Sequence, residues 1–300
     1  MPAAPPIACE VREADAIERR LAVWLLPQAV ASPLDPHVLV AVSPDGRRLL
    51  GAAAVACTVP ADDPPGVPCA VHVVEGERGR GIGRSLLAGA EALARHWGVP
   101  NLASWEPAEQ GGEAAAGWAR LGFTPHRTLR RFRCSAEALL GVVGPVWDRL
   151  REHGSIPPGT RVAPIGGVPR EQVLRLQAMH LGGRPEAVAA ALDAGRYCPH
   201  GSVAIVLPDG RLAGIVLARW TDEQTISVDS KVVAPGVRGS WVNAALMAEG
   251  LRGAGPKGLA FVTFEAGERH RDTARLAERA GGVCVLTLER HVRPVAPGGA

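Results

Sequence analysis

No stretch of this 300-residue chain approaches the roughly 18 consecutive apolar residues of a membrane span. The six cysteines, Cys9, Cys57, Cys69, Cys134, Cys198 and Cys284, form no C-x-x-C pair and have no His-x-x-x-His partner. That scatter argues against a metal site and a disulfide framework; buried free thiols are the plainer reading. An excess of one sign of charge is lacking too: the net charge is +3, and basic residues are dense only at Arg78–Arg84 and Arg127–Arg133. Nucleic-acid proteins concentrate Lys and Arg on one face, so nucleic acid is not an expected partner. The opening segment, MPAAPPIACEV, has no basic run followed by an apolar core, so it does not read as a signal peptide. The expectation is a cytoplasmic chain without a membrane partner. Aromatics make up only 4% of the residues, with a single tyrosine, Tyr197.

What is present suits a soluble globular protein: 47% hydrophobic and 21% charged residues can bury sizeable cores. Three hundred residues are too many for one average domain and comfortable for two. Apolar periodicity in the first half predicts a strand at 7–11, a helix at 14–26 and a hairpin of 38–42 and 49–58 around Pro44-Asp45-Gly46. A strand at 69–74, a helix at 83–97, a strand at 102–106, a helix at 113–121 and a strand at 124–134 follow.

The second half repeats this order. Asp45-Gly46 matches Asp209-Gly210, Arg78-Gly79 matches Arg238-Gly239, and Gly122 matches Gly281, each about 160 residues on. The expected fold class is therefore α/β (α+β), two tandem domains, each a mixed, mostly antiparallel sheet flanked by helices. The expected boundaries are 1–135 for the first domain, 136–159 for a connecting helix and linker, and 160–300 for the second.

One segment carries chemistry. From Val71 to Leu87 a strand runs into a turn with alternating glycines, Gly79, Gly81 and Gly83, and the turn opens a helix. Glycine lets main-chain N–H groups approach an anion, and the helix start adds unpaired donors and a positive dipole end. Arg78, Arg80 and Arg84 add charge at the same point. Such a loop suits a diphosphate. The spacing is neither the G-x-G-x-x-G of dinucleotide folds nor a P-loop.

The run Arg78-Gly79-Arg80-Gly81-Ile82-Gly83, after an apolar strand and before Arg84-Ser85-Leu86-Leu87, resembles the acetyl-CoA signature of the GNAT superfamily. The later Ala116-Gly117-Trp118-Ala119-Arg120-Leu121-Gly122-Phe123 is similar to that family's last helix with its closing Gly-Phe pair. The resemblance covers about residues 7–134, with an echo at about 160–293. It implies an acetyl-CoA-dependent N-acetyltransferase, with acetyl-CoA as co-substrate, no metal, and a small-molecule or peptide amine as acceptor. It also implies that the backbone of Val73 and Val74 holds the pantetheine arm. The diphosphate would be held by Arg78, Gly79, Arg80, Gly81, Ile82, Gly83, Arg84 and Ser85.

The chain departs from the family at the general acid: the usual tyrosine position is Trp118, and the frequent asparagine is Gly111. The candidate bases are His72, on the fourth strand, and Glu106, at the end of the fifth; each also reads as an ordinary strand histidine or a solvated strand-end charge. Glu75 begins the phosphate turn, and Asp62 and Asp63 lie in the Pro-rich loop before the fourth strand, where they either draw a cationic amine or belong to a plain surface loop. In the second copy Trp241 and Asn243 replace two glycines of the turn, so no productive CoA site is expected there. Asp229 and Lys231 interrupt an apolar strand; pairing with each other, facing the domain junction, a place in a substrate pocket and an edge strand with one wet face all stay open. The alternative to an enzyme is an acyl-CoA-binding or interaction module without turnover.

Overall fold

The structure, a computed structural model, describes residues 8–30, 35–56, 66–181, 185–237, 241–268 and 271–296. In chain order it runs β1 (Glu10–Glu13), α1 (Ala16–Leu25), α2 (Pro27–Val30), β2 (His37–Val42), β3 (Leu49–Val55), β4 (Val67–Val73), α3 (Ile82–His96), β5 (Asn101–Ser104), β6 (Ala108–Glu109), α4 (Glu113–Arg120) and β7 (Thr124–Ser135). There follow α5 (Ala136–Glu152), β8 (Arg161–Pro164), α6 (Arg170–Leu181), α7 (Pro185–Asp193), β9 (Val203–Val206), β10 (Leu212–Trp220), β11 (Thr225–Val233), α8 (Val242–Ala254), β12 (Phe261–Gly267), α9 (Arg271–Arg279) and β13 (Val283–Pro294).

Local chemistry accounts for several of these elements. Asp15 caps α1, its carboxylate accepting from the Ile17 and Glu18 amides while Glu18 reaches back to the Asp15 amide, a complete capping box. Gly46 and Gly210 both turn their hairpins at positive φ, +67° and +82°, where a Cβ would be strained. Side chains on β2 alternate: Val38, Val40 and Val42 face α1 and α2, while Leu39 and Ala41 face α3. The run of small residues on β3 lets α3 lie close. A Cβ on Gly51 would stand 3.1 Å from Leu86 Cδ1, and one on Gly89 of α3 2.9 Å from Leu39 Cδ1.

The chain divides into two compact units, and not at the expected boundaries: the first is Met1–Thr128 with Leu288–Ala300, the second Leu129–Thr287. In the first unit the strand order is β1-β2-β3-β4-β5 and then the end of β13, whose Val292, Arg293 and Pro294 pair antiparallel with Ala103, Leu102 and Asn101. In the second the end of β7 pairs with β12, from Leu129↔Gly267 to Ser135↔Phe261, and β11, β10, β9 and β8 follow. The two repeats thus exchange the ends of their last strands. The β4–β5 and β11–β12 ladders are parallel.

The segment expected as a connecting helix is instead core of the second unit. Leu139, Val143 and Trp147 of α5 are buried with Leu246 and Leu251 of α8. Trp147 Nε1 donates to Glu249, and Arg252 forks onto Asp148 at 2.7 and 2.8 Å. The opposite face of that sheet carries Val173 and Leu176 of α6 and Val188 of α7.

Candidate functional site

In the first unit β4 and β5 run side by side only from Val67↔Leu102 to Cys69↔Ser104. One last bond, Trp105 N–H to the Cys69 carbonyl at 2.8 Å, closes the ladder just past the end of β5. Beyond it β4 continues alone on that side. The phase of the β3–β4 ladder decides which of its groups are open. Val74 N–H donates to the Leu50 carbonyl at 3.0 Å, so Gly51↔Val73 is a non-hydrogen-bonded pair. The main-chain groups of Val71 and Val73 therefore point away from β3, into the gap left by β5.

This corrects the expectation for Val74. Its N–H is bonded to Leu50 and its carbonyl accepts from Glu77 N–H at 2.9 Å, so neither is open to a ligand. Arg78 lies beside the open edge, its Nε 3.3 Å from the Val73 carbonyl and its Nη1 3.4 Å from Glu113.

The glycine turn follows. Gly79 and Gly81 have φ of +79° and +89°, and an added Cβ at either would meet nothing within 4 Å, so the turn faces open space. Gly81 precedes α3, and its carbonyl accepts from both the Arg84 and Ser85 amides, at 3.0 and 3.1 Å. Those two amides are engaged, which narrows the expected set. Among the described residues, the N–H groups of Gly79, Arg80, Gly81, Ile82 and Gly83 have no main-chain acceptor. The Ile82 side chain is buried among Leu39, Leu50 and Leu86 and pins the helix start to the sheet.

Beneath the turn sits a group that motif reading missed. The carboxylate of Glu77 is buried and bracketed by Arg48 and Arg80, each at 2.6 Å, while Arg80 Nε is buried without a partner. Arg48 comes from the β2–β3 hairpin, so the bridge ties the turn to the sheet. The only sequence signal was the Glu77–Arg80 spacing of three. Glu77→Gln keeps the shape but removes the charge facing two guanidiniums. A loss of about 1–3 kcal/mol, read as a lower Tm, is expected together with weaker binding at the turn.

The face opposite α3 carries the candidate bases. Ala70 packs against the α1–α2 cluster while Val71 and Val73 pack toward α3, so alternation puts His72 on the α1–α2 side. Its pKa is lowered, first by burial and then by the nearby Arg78 charge. Glu106 lies two residues beyond the end of β5, exposed, and accepts from the side-chain amide of Gln28 on α2 when that amide turns its nitrogen toward it. Trp118 packs on Phe123, ring centroids 4.6 Å apart, within an apolar cluster. Glu75 is exposed at the start of the turn, and Asp62 and Asp63 lie outside the described residues.

The second unit shows the same divergence: β11 and β12 pair from Thr225↔Phe261 to Val228↔Phe264 and then part. Trp241 immediately precedes α8 and stacks on Trp147 at 6.1 Å; residues 238–240 lie outside the described residues. Asp229 pairs with Arg219, at 2.7 and 3.0 Å, and not with Lys231. Among the described residues no His, Cys, Asp and Glu cluster could hold a metal, and no helix is long and apolar enough to cross a membrane.

Comparison with known proteins agrees with this arrangement. Residues 12–123 match the acetyltransferase (GNAT) family. No curated relative matches the sequence. A GCN5-related N-acetyltransferase from Sphaerobacter thermophilus is similar in structure at 16% identity and a TM-score of 0.57, over 99% of this chain and 98% of that one. A tandem GNAT protein from the clavulanic acid biosynthesis pathway is similar at 18% identity and a TM-score of 0.58, over 97% and 100%. Eis1 from Mycobacterium abscessus is similar at 14% and 0.60, over 96% of this chain and 74% of that one. At these identities the likeness concerns the fold. Residues 12–123, with their parted strands and glycine turn, match the GNAT acetyltransferase family, in a chain whose fold over nearly its whole length is similar to that of a tandem GNAT protein.

Proposed function

We propose that the protein is an N-acyltransferase that moves the acetyl group of acetyl-CoA to the amine of a small molecule or peptide, by direct attack in a ternary complex. The observation that carries this reading is the row of partnerless amides from Gly79 to Gly83, opening α3 beside the free edge of β4. Those amides and the helix dipole suit a diphosphate, and Arg80 Nε supplies a further donor. The Val71 groups and the Val73 N–H facing the gap suit an amide-bearing arm. Acetyl-CoA supplies an activated thioester carbonyl, and the chain's own residues supply position and proton transfer.

His72 is the candidate general base. Its neutral ring takes the proton that the incoming ammonium must lose before its nitrogen can attack. Glu106, held by Gln28 on the same side, draws the cationic amine. Trp118 has no labile acid proton, so water protonates the departing thiolate. Positioning supplies most of the acceleration.

Gly81→Trp tests the cofactor site. The left-handed backbone costs about 1–2 kcal/mol with a side chain, and the open space lets the variant fold while the indole covers the amides. CoA at millimolar concentration should raise the Tm of the wild type and leave the variant unmoved. An unmoved wild type would end the proposal. A thiol-release assay over a panel of amines then separates an enzyme from a binding module, the second reading that Trp118 favours: a CoA response without turnover decides for the module.

A further inference from the structure

The second unit has Trp241 and Asn243 where the first has Gly81 and Gly83, and it carries a lysine on the strand that borders the equivalent gap. Gly51 pairs with Val73 in the first unit and Gly214 with Val233 in the second, so Lys231 stands where the first unit has Val71. Val71 is apolar packing at the point where β4 leaves β5. Lys231 is three residues past the last β11–β12 pair, Val228↔Phe264. Ala234 N–H donates to the Ala213 carbonyl at 2.8 Å, which sets the ladder phase so that the main-chain groups of Lys231 point away from β10, into the gap.

Its neighbours place the side chain. Val232 belongs to the cluster under α6, and Ser230 donates to Gln177 of α6 at 2.5 Å. Alternation sends Lys231 to the other face, with Val233 and α8, where it feels the charge of Asp272 in the first turn of α9. Among the described residues the ammonium has no ion-pair or hydrogen-bond partner. The residue is half-buried, and burial pushes its pKa down.

An ammonium held in low dielectric without a counter-charge is costly. Asp272 favours its charged form from beyond contact and leaves its three donors open. We infer that the gap between β11 and β12 is a second binding site, for a small ligand bearing an oxyanion, carboxylate or phosphoryl, with Lys231 as its counter-charge. The Trp241–Trp147 stack at the start of α8 replaces the diphosphate-binding glycines and limits the site to a ligand smaller than CoA. This site is independent of the acetyl-CoA reading.

The chain has two lysines, Lys231 and Lys257, which makes a local test possible. With 13C-lysine labelling the full-length protein gives two Cε resonances, and the one lost in Lys231→Met is that of Lys231. Titration with sodium phosphate and, separately, sodium acetate at constant ionic strength should move the Lys231 resonance along a saturable curve and leave Lys257 unmoved. Saturation by phosphate alone assigns a phosphoryl group, by acetate alone a carboxylate, and by both a general oxyanion site; each supports the inference. A Lys231 resonance that stays still, or drifts linearly in step with Lys257, overturns it. Since the probe sits in the second unit, the result stands whatever CoA does at Gly81.

Discussion

A chain ending at residue 287 is expected to lose its response to CoA, although every residue of the glycine turn is intact. The missing end of β13 is the partner of β5 through Val292↔Ala103, Arg293↔Leu102 and Pro294↔Asn101, and Val295 N–H also donates to the Pro100 carbonyl at 2.8 Å. Val292 and Val295 are buried, each worth about 1.5–3 kcal/mol. Arg293 binds Glu91 of α3 at 2.7 Å and the Leu121 carbonyl at the end of α4, so one side chain holds both helices that flank the gap. Charge-assisted bonds of this kind contribute about 1.5–3 kcal/mol apiece. Together these terms approach the whole stability of about 5–15 kcal/mol typical of a domain. The check is thermal unfolding with and without CoA. Arg293→Met keeps the strand and removes only the tie; it should lower the Tm and weaken the CoA response without abolishing folding. A truncated chain with a wild-type CoA shift would show that the exchanged strand does not support the site.

Replacing His72 by Asn is expected to lower kcat/KM by roughly 10²- to 10⁴-fold, with the CoA-dependent thermal shift unchanged. The split between the two readouts separates a proton acceptor from a structural histidine, because a merely structural loss would reduce both. The sign of the pH dependence follows from the environment. Burial and the Arg78 charge disfavour the imidazolium, so the ring stays neutral to lower pH than the ordinary histidine value near 6.5. The acid limb of the wild-type kcat/KM profile should therefore fall below that value, and Arg78→Met should move it upward. A limb that does not respond to Arg78, or an active Asn variant, assigns the base elsewhere, with Glu106 the next group on that face.

Most of the element order was legible, because each cue was local; the short α2 and β6 were not. Asp45-Gly46 and Asp209-Gly210 turn their hairpins with the glycines at positive φ, and the periodicity places α3 within a residue of where it lies. The glycine turn was legible for the same reason: left-handed backbone at Gly79 and Gly81 is a demand made by single residues. The fifth strand was read as ending at Glu106 and stops at Ser104, because the parallel ladder is exhausted at Cys69 and Pro107 has no N–H to extend it.

What this sequence determined by itself is the repeat, the order of strands and helices, and the place where unpartnered amides gather. Only the tertiary structure decided which amides those are and which strand completes each sheet. Main-chain donors are alike at every residue, so the choice of Val71 and Val73 over Val74, and of Gly79–Gly83 over Arg84 and Ser85, follows from ladder phase and helix bonding that no side chain announces. The two final strands are both twelve residues long and alternate alike, and edge hydrogen bonds carry little sequence information. Their exchange is settled by burial of Val292 and Val295 in one unit and of Phe132 and Cys134 in the other, which exists only once the chain has folded.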